Sequence, residues 1–137
     1  MYLLDTDTII YSMKGHTAVQ ANLRAHLNDP LNICTVTFME LYYGAYKSQE
    51  VTSNLAKIKT IENSFDILPV GTECVEVFGS LKANLEKTGS SVDDFDLIIA
   101  SCAIANNLVL VTNNTKHFKK ITGLKQTNWA VYPEKYG

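Results

Sequence analysis

The sequence predicts an α/β domain: a central, mostly parallel sheet with helices on both faces. Three observations carry this. Short apolar runs alternate with longer stretches of helical periodicity, the pattern of repeated βαβ units. Leu108-Val109-Leu110-Val111 is apolar at every position, as a strand covered on both faces must be. Residues 94–107 are nearly all apolar too, and a helix apolar all round is a buried one.

The elements follow in order. Residues 2–5 are a strand, and a short helix runs from there to about Lys14, stopped by Gly15. Residues 17–28 form a helix with Val19, Leu23 and Leu27 on one face. Asn32-Ile33-Cys34-Thr35 is a second strand, and Thr37 opens a helix to about Lys47. Leu55, Ile58, Ile61 and Phe65 repeat at helical spacing over 51–64, and Asp66-Ile67-Leu68-Pro69 is a third strand. Thr72 caps a helix that turns Val75, Phe78, Leu81 and Leu85 inward and stops at Gly89. The buried helix at 94–107 and the strand at 108–111 come next, with Thr127-Asn128-Trp129-Ala130 as a fifth strand. Right-handed crossovers place all strand C-termini on one rim, so Asp5, Thr35 and Thr112 share it. In open α/β sheets that rim binds ligands.

The chain of 137 residues fits a single domain spanning 1–137, which buries about two-thirds of the surface its unfolded chain exposes. No apolar run is long enough to cross a bilayer, and Met1-Tyr2-Leu3-Leu4-Asp5 lacks the basic start of a signal peptide. A cytoplasmic protein without a membrane partner is expected. Cys34, Cys74 and Cys102 form no CxxC pair and sit among apolar neighbours, which reads as buried free thiols. A formal net charge of −2 excludes nucleic-acid binding through bulk positive charge, yet Lys116, His117, Lys119, Lys120 and Lys125 cluster without an intervening acid. They form either a solvated face or a phosphate-binding patch.

The acids carry the chemistry, and most have a second, structural reading. Asp5 stands at a strand exit, where capping explains it least. Thr37-x-x-Glu40 has the spacing of a capping box; the alternative turns Glu40 towards Asp5. Asp93, Asp94 and Asp96 surround the start of the buried helix, where acids cap and complement the helix dipole. Three are more than capping needs, and Asp96 is followed directly by Leu-Ile-Ile-Ala, where an unpaired charge is costly. Asp7 caps the first helix or adds a supporting charge. Asn113 and Asn114, after Thr112, suit a turn or present an amide at the rim. The tyrosines at 42, 43 and 46 are expected to lie partly buried against the core, and His16, His26 and His117 show no ligand spacing. Three carboxylates on one rim repel unless a cation sits between them, and oxygen ligands without His or Cys select Mg²⁺ or Mn²⁺. Such a site activates a water for phosphodiester hydrolysis.

In this order Leu3-Leu4-Asp5-Thr6, Thr37-Phe38-Met39-Glu40-Leu41-Tyr42-Tyr43-Gly44, Asp94-Phe95-Asp96-Leu97-Ile98-Ile99-Ala100 and Leu110-Val111-Thr112-Asn113-Asn114 resemble the PIN domain. More narrowly they resemble VapC-type toxins of bacterial toxin–antitoxin systems, over essentially the whole chain. The resemblance implies a three-layer α/β/α fold and a metal-dependent endoribonuclease cutting structured RNA, often transfer RNA. It implies Asp5, Glu40 and Asp96 as catalytic metal ligands and a small antitoxin whose tail covers the site. Such toxins commonly form a homodimer. The family's fourth acid falls at Asn114, leaving one or two metals open; Asp94 is an extra acid that partly compensates, and Asp7 replaces the commoner Asn. Thr112, Asn114 and Asp7 are expected to support the site, and Lys116, Lys119 and Lys120 to bind RNA.

Two other functions fit parts of the chain. Asp5-Thr6-Asp7-Thr8-Ile9 resembles the Asp-x-Asp motif of haloacid-dehalogenase-type phosphatases, in which the first Asp is the nucleophile. There the later acids follow a strand, whereas here Gly89-Ser90-Ser91 precedes them. The other is a non-catalytic RNA- or partner-binding module whose acids only cap helices.

Overall fold

A computed structural model of the chain describes residues 1–133; the last four residues of the expected domain lie outside the described residues. Twelve elements follow one another: β1 (Tyr2–Leu4), α1 (Thr6–Met13), α2 (Thr17–Ala25), β2 (Leu31–Cys34), α3 (Thr35–Lys47), α4 (Val51–Ser64), β3 (Asp66–Leu68), α5 (Thr72–Lys87), α6 (Asp94–Ala105), β4 (Val109–Val111), α7 (Thr115–Phe118) and β5 (Gln126–Thr127). The five strands form one sheet in the order β3-β2-β1-β4-β5. Every pairing is parallel, with Leu3 opposite Leu110 and Leu4 opposite Val111. The chain runs outward from β1 through β2 to β3, then returns to β4 on β1's other side. That reversal opens a crevice at the carboxyl ends of β1 and β4.

Successive strand residues point to opposite faces of a sheet, so neighbours in β1 serve two cores. Leu3, with Cys34 and Leu110, packs against Leu85 of α5 and Leu97 and Ala100 of α6. Leu4, with Ile33 and Val111, packs against Ile9, Phe38, Leu41 and Ile58 on α1, α3 and α4. The result is the three-layer α/β/α arrangement. α6 buries Leu97, Ile99, Ala100, Ser101, Cys102 and Ala103, as its uninterrupted apolar run requires. The three cysteines are buried free thiols, with the Cys34 and Cys102 sulfurs 4.0 Å apart.

Several local expectations are overturned. α3 starts at Thr35 with Cys34 as its N-cap, so Thr37 lies fully buried inside the first turn and builds no capping box. Gly71, not Thr72, is the N-cap of α5. The inward stripe of that helix is Cys74, Phe78, Leu81 and Leu85, and Val75, one position round, is 59% exposed. α2 stops at Ala25, which leaves Leu27 75% exposed in the turn towards Pro30. Tyr42 is half-buried and its hydroxyl meets Glu62, whereas Tyr43 and Tyr46 are exposed. β5 covers only Gln126–Thr127; Trp129 beyond it is buried, its ring 4.5 Å from that of His26 and stacked on it. The single turn of α7 has no periodic signal, and Phe118 anchors it.

Candidate active site

The site is built at the exits of β1 and β4. The Asp5 backbone N–H donates to the Val111 carbonyl at 2.9 Å and ties the two strand ends together. Asp5 is 4% exposed. It is itself the N-cap of α1, which the strand-exit reading did not foresee: its Oδ1 accepts from the Thr6 N–H at 2.8 Å. Its Oδ2 accepts from the Thr112 hydroxyl, also at 2.8 Å. Burial, the nearby Asp7 charge and, more weakly, Asp96 push its carboxyl up to about 7, against the pull of both hydrogen bonds.

Asp7 sits in the first turn of α1, where its Oδ2 accepts from the Asn113 N–H at 3.1 Å. Its pKa is raised, chiefly by burial. Glu40 reaches the rim from α3: its Oε1 accepts from the Thr6 hydroxyl at 2.6 Å, and the Thr6 and Thr37 hydroxyls lie 3.1 Å apart. Burial raises Glu40, and the charges of Asp96 and Asp93 add to it. Asp96, in the first turn of α6, is raised by burial and then by Asp93 and Asp7, while His117 pulls the other way.

The acids at the start of α6 therefore divide. Asp93 is the N-cap, accepting from the Phe95 N–H at 3.1 Å. Asp94 is taken by Lys82 at 3.0 Å on the surface, so its carboxylate is already paired. Asp96 couples to Asp5, Asp7 and Glu40, whereas Asp93 adds its charge to Glu40 and Asp96 only. His117 on α7 places Nε2 3.3 Å from Asp96 Oδ2, at ion-pair distance but without hydrogen-bond alignment. Asn114 offers its backbone N–H to the Thr112 hydroxyl at 3.0 Å, while its side chain makes no cap bond. Lys116, Lys119 and Lys120 are exposed on and just after α7.

Four carboxyl groups thus share one rim, each with a raised pKa, and no Lys or Arg is paired with any of the four among the described residues. That is a local excess of negative charge, and oxygen donors of this kind fit a hard divalent cation. Among the described residues, no group of three or more His, Cys, Asp or Glu side chains is placed to hold a metal ion by itself. The arrangement suits an ion that keeps waters or phosphate oxygens between the carboxylates, as Mg²⁺ does.

Sequence reasoning missed Thr6, Thr37 and His117. Thr6 stands beside Asp5 in the strand-exit motif, so its proximity was visible, but its bond to Glu40 spans 34 residues. His117 lies inside the basic cluster, and no ligand spacing in the sequence singles it out.

The PIN-domain family model matches residues 2–124, and the chain belongs to that family. Within it the chain is a VapC-type ribonuclease by similarity along its length. It is 35% identical to Ribonuclease VapC2 of Rickettsia felis over 131 residues, 94% of this chain and 98% of the relative. It is 36% identical to the tRNA(fMet)-specific endonuclease VapC of Shigella flexneri, over 94% and 98% of the two chains. The fold matches a chain in the crystal structure of VapBC2 from Rickettsia felis bound to a promoter DNA fragment, with a TM-score of 0.88 and 35% identity, covering 93% and 98%. A toxin–antitoxin complex from Klebsiella pneumoniae contains a chain similar at TM-score 0.70 and 26% identity, covering 90% and 95%. Neither the phosphatase reading nor the non-catalytic module draws support from these relatives. No helix among the described residues is long and apolar enough to cross a membrane.

Proposed function

We propose that this ribonuclease is the toxin of a toxin–antitoxin pair and hydrolyses phosphodiester bonds in structured RNA with a divalent cation held by Asp5, Glu40 and Asp96. The observation that carries the reading is the carboxylate cluster at the β1/β4 switch point, whose members each have a raised pKa, chiefly from burial and then from one another's charge. Mg²⁺ or Mn²⁺ bound there would supply an activated water and neutralise charge at the scissile phosphate. The chain's own residues do the rest. Thr112 fixes Asp5 and Thr6 fixes Glu40, so that each carboxylate is held in one orientation. Asp7 braces the 112–113 turn through the Asn113 N–H. Lys116, Lys119 and Lys120 draw the RNA backbone to the rim.

Transfer RNA is the first substrate to test, because a relative is named as specific for tRNA(fMet). A small antitoxin is the expected partner, since a related chain belongs to a toxin–antitoxin complex. The groove between α1, α3 and α4, lined by Ile10, Met13, Leu41, Ala45 and Ile58 with Glu40 at its margin, offers that partner an apolar track to the acids. A homodimer is part of the same proposal. The deciding experiment incubates the purified chain with initiator tRNA and either cation. Cleavage should stop with a chelator and with Asp5→Asn, while the circular dichroism of that variant stays native. Full cleavage by Asp5→Asn would overturn the role of Asp5.

A further inference from the structure

The expectation of an all-oxygen site overlooked one nitrogen. The Nε2 of His117 is shielded from solvent and has no aligned hydrogen-bond partner among the described residues, yet it lies 3.3 Å from Asp96 Oδ2. A buried polar atom left in this state is uncommon and calls for an explanation, such as an ion that the pair would share. The distance suits that explanation. Two donor atoms each about 2.1 Å from one ion, and roughly at right angles, lie about 3 Å apart. A simple ion pair would bring an N–H into line with the carboxylate, which this geometry does not do.

The fold holds the ring in place. Phe118 is buried beside it, and its ring meets the His117 imidazole edge-on at 5.4 Å. At the head of the same segment, the Thr112 hydroxyl is bonded to Asp5 and accepts from the Asn114 N–H. The stretch from Thr112 to His117 therefore reaches Asp5 with its first residue and Asp96 with its last.

We infer that His117 is a further ligand of the metal site, joining Asp96 through Nε2, and that it tilts the site from Mg²⁺ towards Mn²⁺ and other borderline ions. This rests on the nuclease site proposed above. Imidazole is a poor donor for Mg²⁺, which favours oxygen, and a good one for later divalent ions.

The test uses the full chain, stripped of metal and free of RNA. Mn²⁺ affinity is read from the free-ion electron paramagnetic resonance signal, and nitrogen ligation from electron spin echo modulation of the bound ion. Wild type should show imidazole nitrogen coupling. His117→Ala, and the bulkier His117→Gln that guards against a packing loss, should both lose that coupling and weaken Mn²⁺ binding by about tenfold or more, with a smaller change for Mg²⁺. Absence of nitrogen coupling in wild type, or unchanged Mn²⁺ affinity in both variants, overturns the inference. An Asp5→Asn arm separates the two claims. If that variant loses Mn²⁺ and the His117 variants keep it, the carboxylate site stands and the His117 ligand falls. If none of the three changes binding, both fall.

Discussion

Two helix starts in this molecule are loaded with acids, and they treat them differently. At α1, Asp5 and Asp7 are held by neutral donors: the Thr6 N–H, the Thr112 hydroxyl and the Asn113 N–H. Nothing there cancels their charge, and the Asp5 carboxyl rises to about 7. At α6, the acids are sorted by partner. Asp93 caps the helix, Asp94 pairs with Lys82, and Asp96 faces His117. Sequence position tells them apart poorly, since all are acids within a residue or two of a helix N-terminus. What separates a structural acid from a reactive one is whether its burial is compensated. α1 concentrates repulsion at the switch point; α6 spends two of its three acids on ordinary helix chemistry and contributes the third.

The sharpest way to break that contrast is at Asp5. Asp5→Asn should lower RNA cleavage by at least about a thousandfold, measured as single-turnover rate, if the buried carboxylate is as essential as its isolation suggests. The same variant should be more stable than wild type when both are chelated. The folded state holds the Asp5 proton to about pH 7, while the unfolded chain releases it near 3.8. Between those values the folded state binds more protons, so wild-type stability should fall as pH rises from about 4 to 7. Asn removes that slope and should raise unfolding free energy at pH 8 by on the order of 2 kcal/mol, read by urea titration. A flat wild-type profile would show that Asp5 is compensated after all.

Smaller effects should follow outward from α1. Thr112→Val keeps the shape but removes the donor to Asp5; cleavage should drop by roughly ten- to a hundredfold with a near-native fold. Replacing Lys116, Lys119 and Lys120 together by Ala should weaken RNA binding and reduce the slope of log affinity against log salt by up to about 3. An unchanged slope would remove those lysines from the interface. The smallest effect belongs to the structural side of α6. Asp94→Asn, which breaks only an exposed pair with Lys82, should leave cleavage and thermal midpoint essentially unchanged. A large loss of activity there would erase the distinction between the two helix starts.

Much of the fold is legible in the sequence. The Leu108–Val111 run, the apolar stretch after Asp96 and the helical spacing at 51–64 each became the expected element. The misreadings cluster at helix ends, where the signals are short and interchangeable. Thr37-x-x-Glu40 has the spacing of a capping box, but α3 begins two residues earlier, which frees Glu40 to meet Thr6. Asp94 and Asp96 differ by two positions on one helix turn; nothing local shows that Lys82 takes the first and His117 faces the second.

The sequence by itself determined the order of strands and helices, the parallel sheet and the rim onto which Asp5, Glu40 and Asp96 emerge, because hydrophobic periodicity and crossover handedness act locally and repeat along the chain. Only the tertiary structure decided which acids stay uncompensated and which donor reaches each one. Capping and cation binding ask for the same residue at the same spacing, and they are told apart by burial and by partners far away in sequence, such as Thr112, 107 residues from the Asp5 it holds.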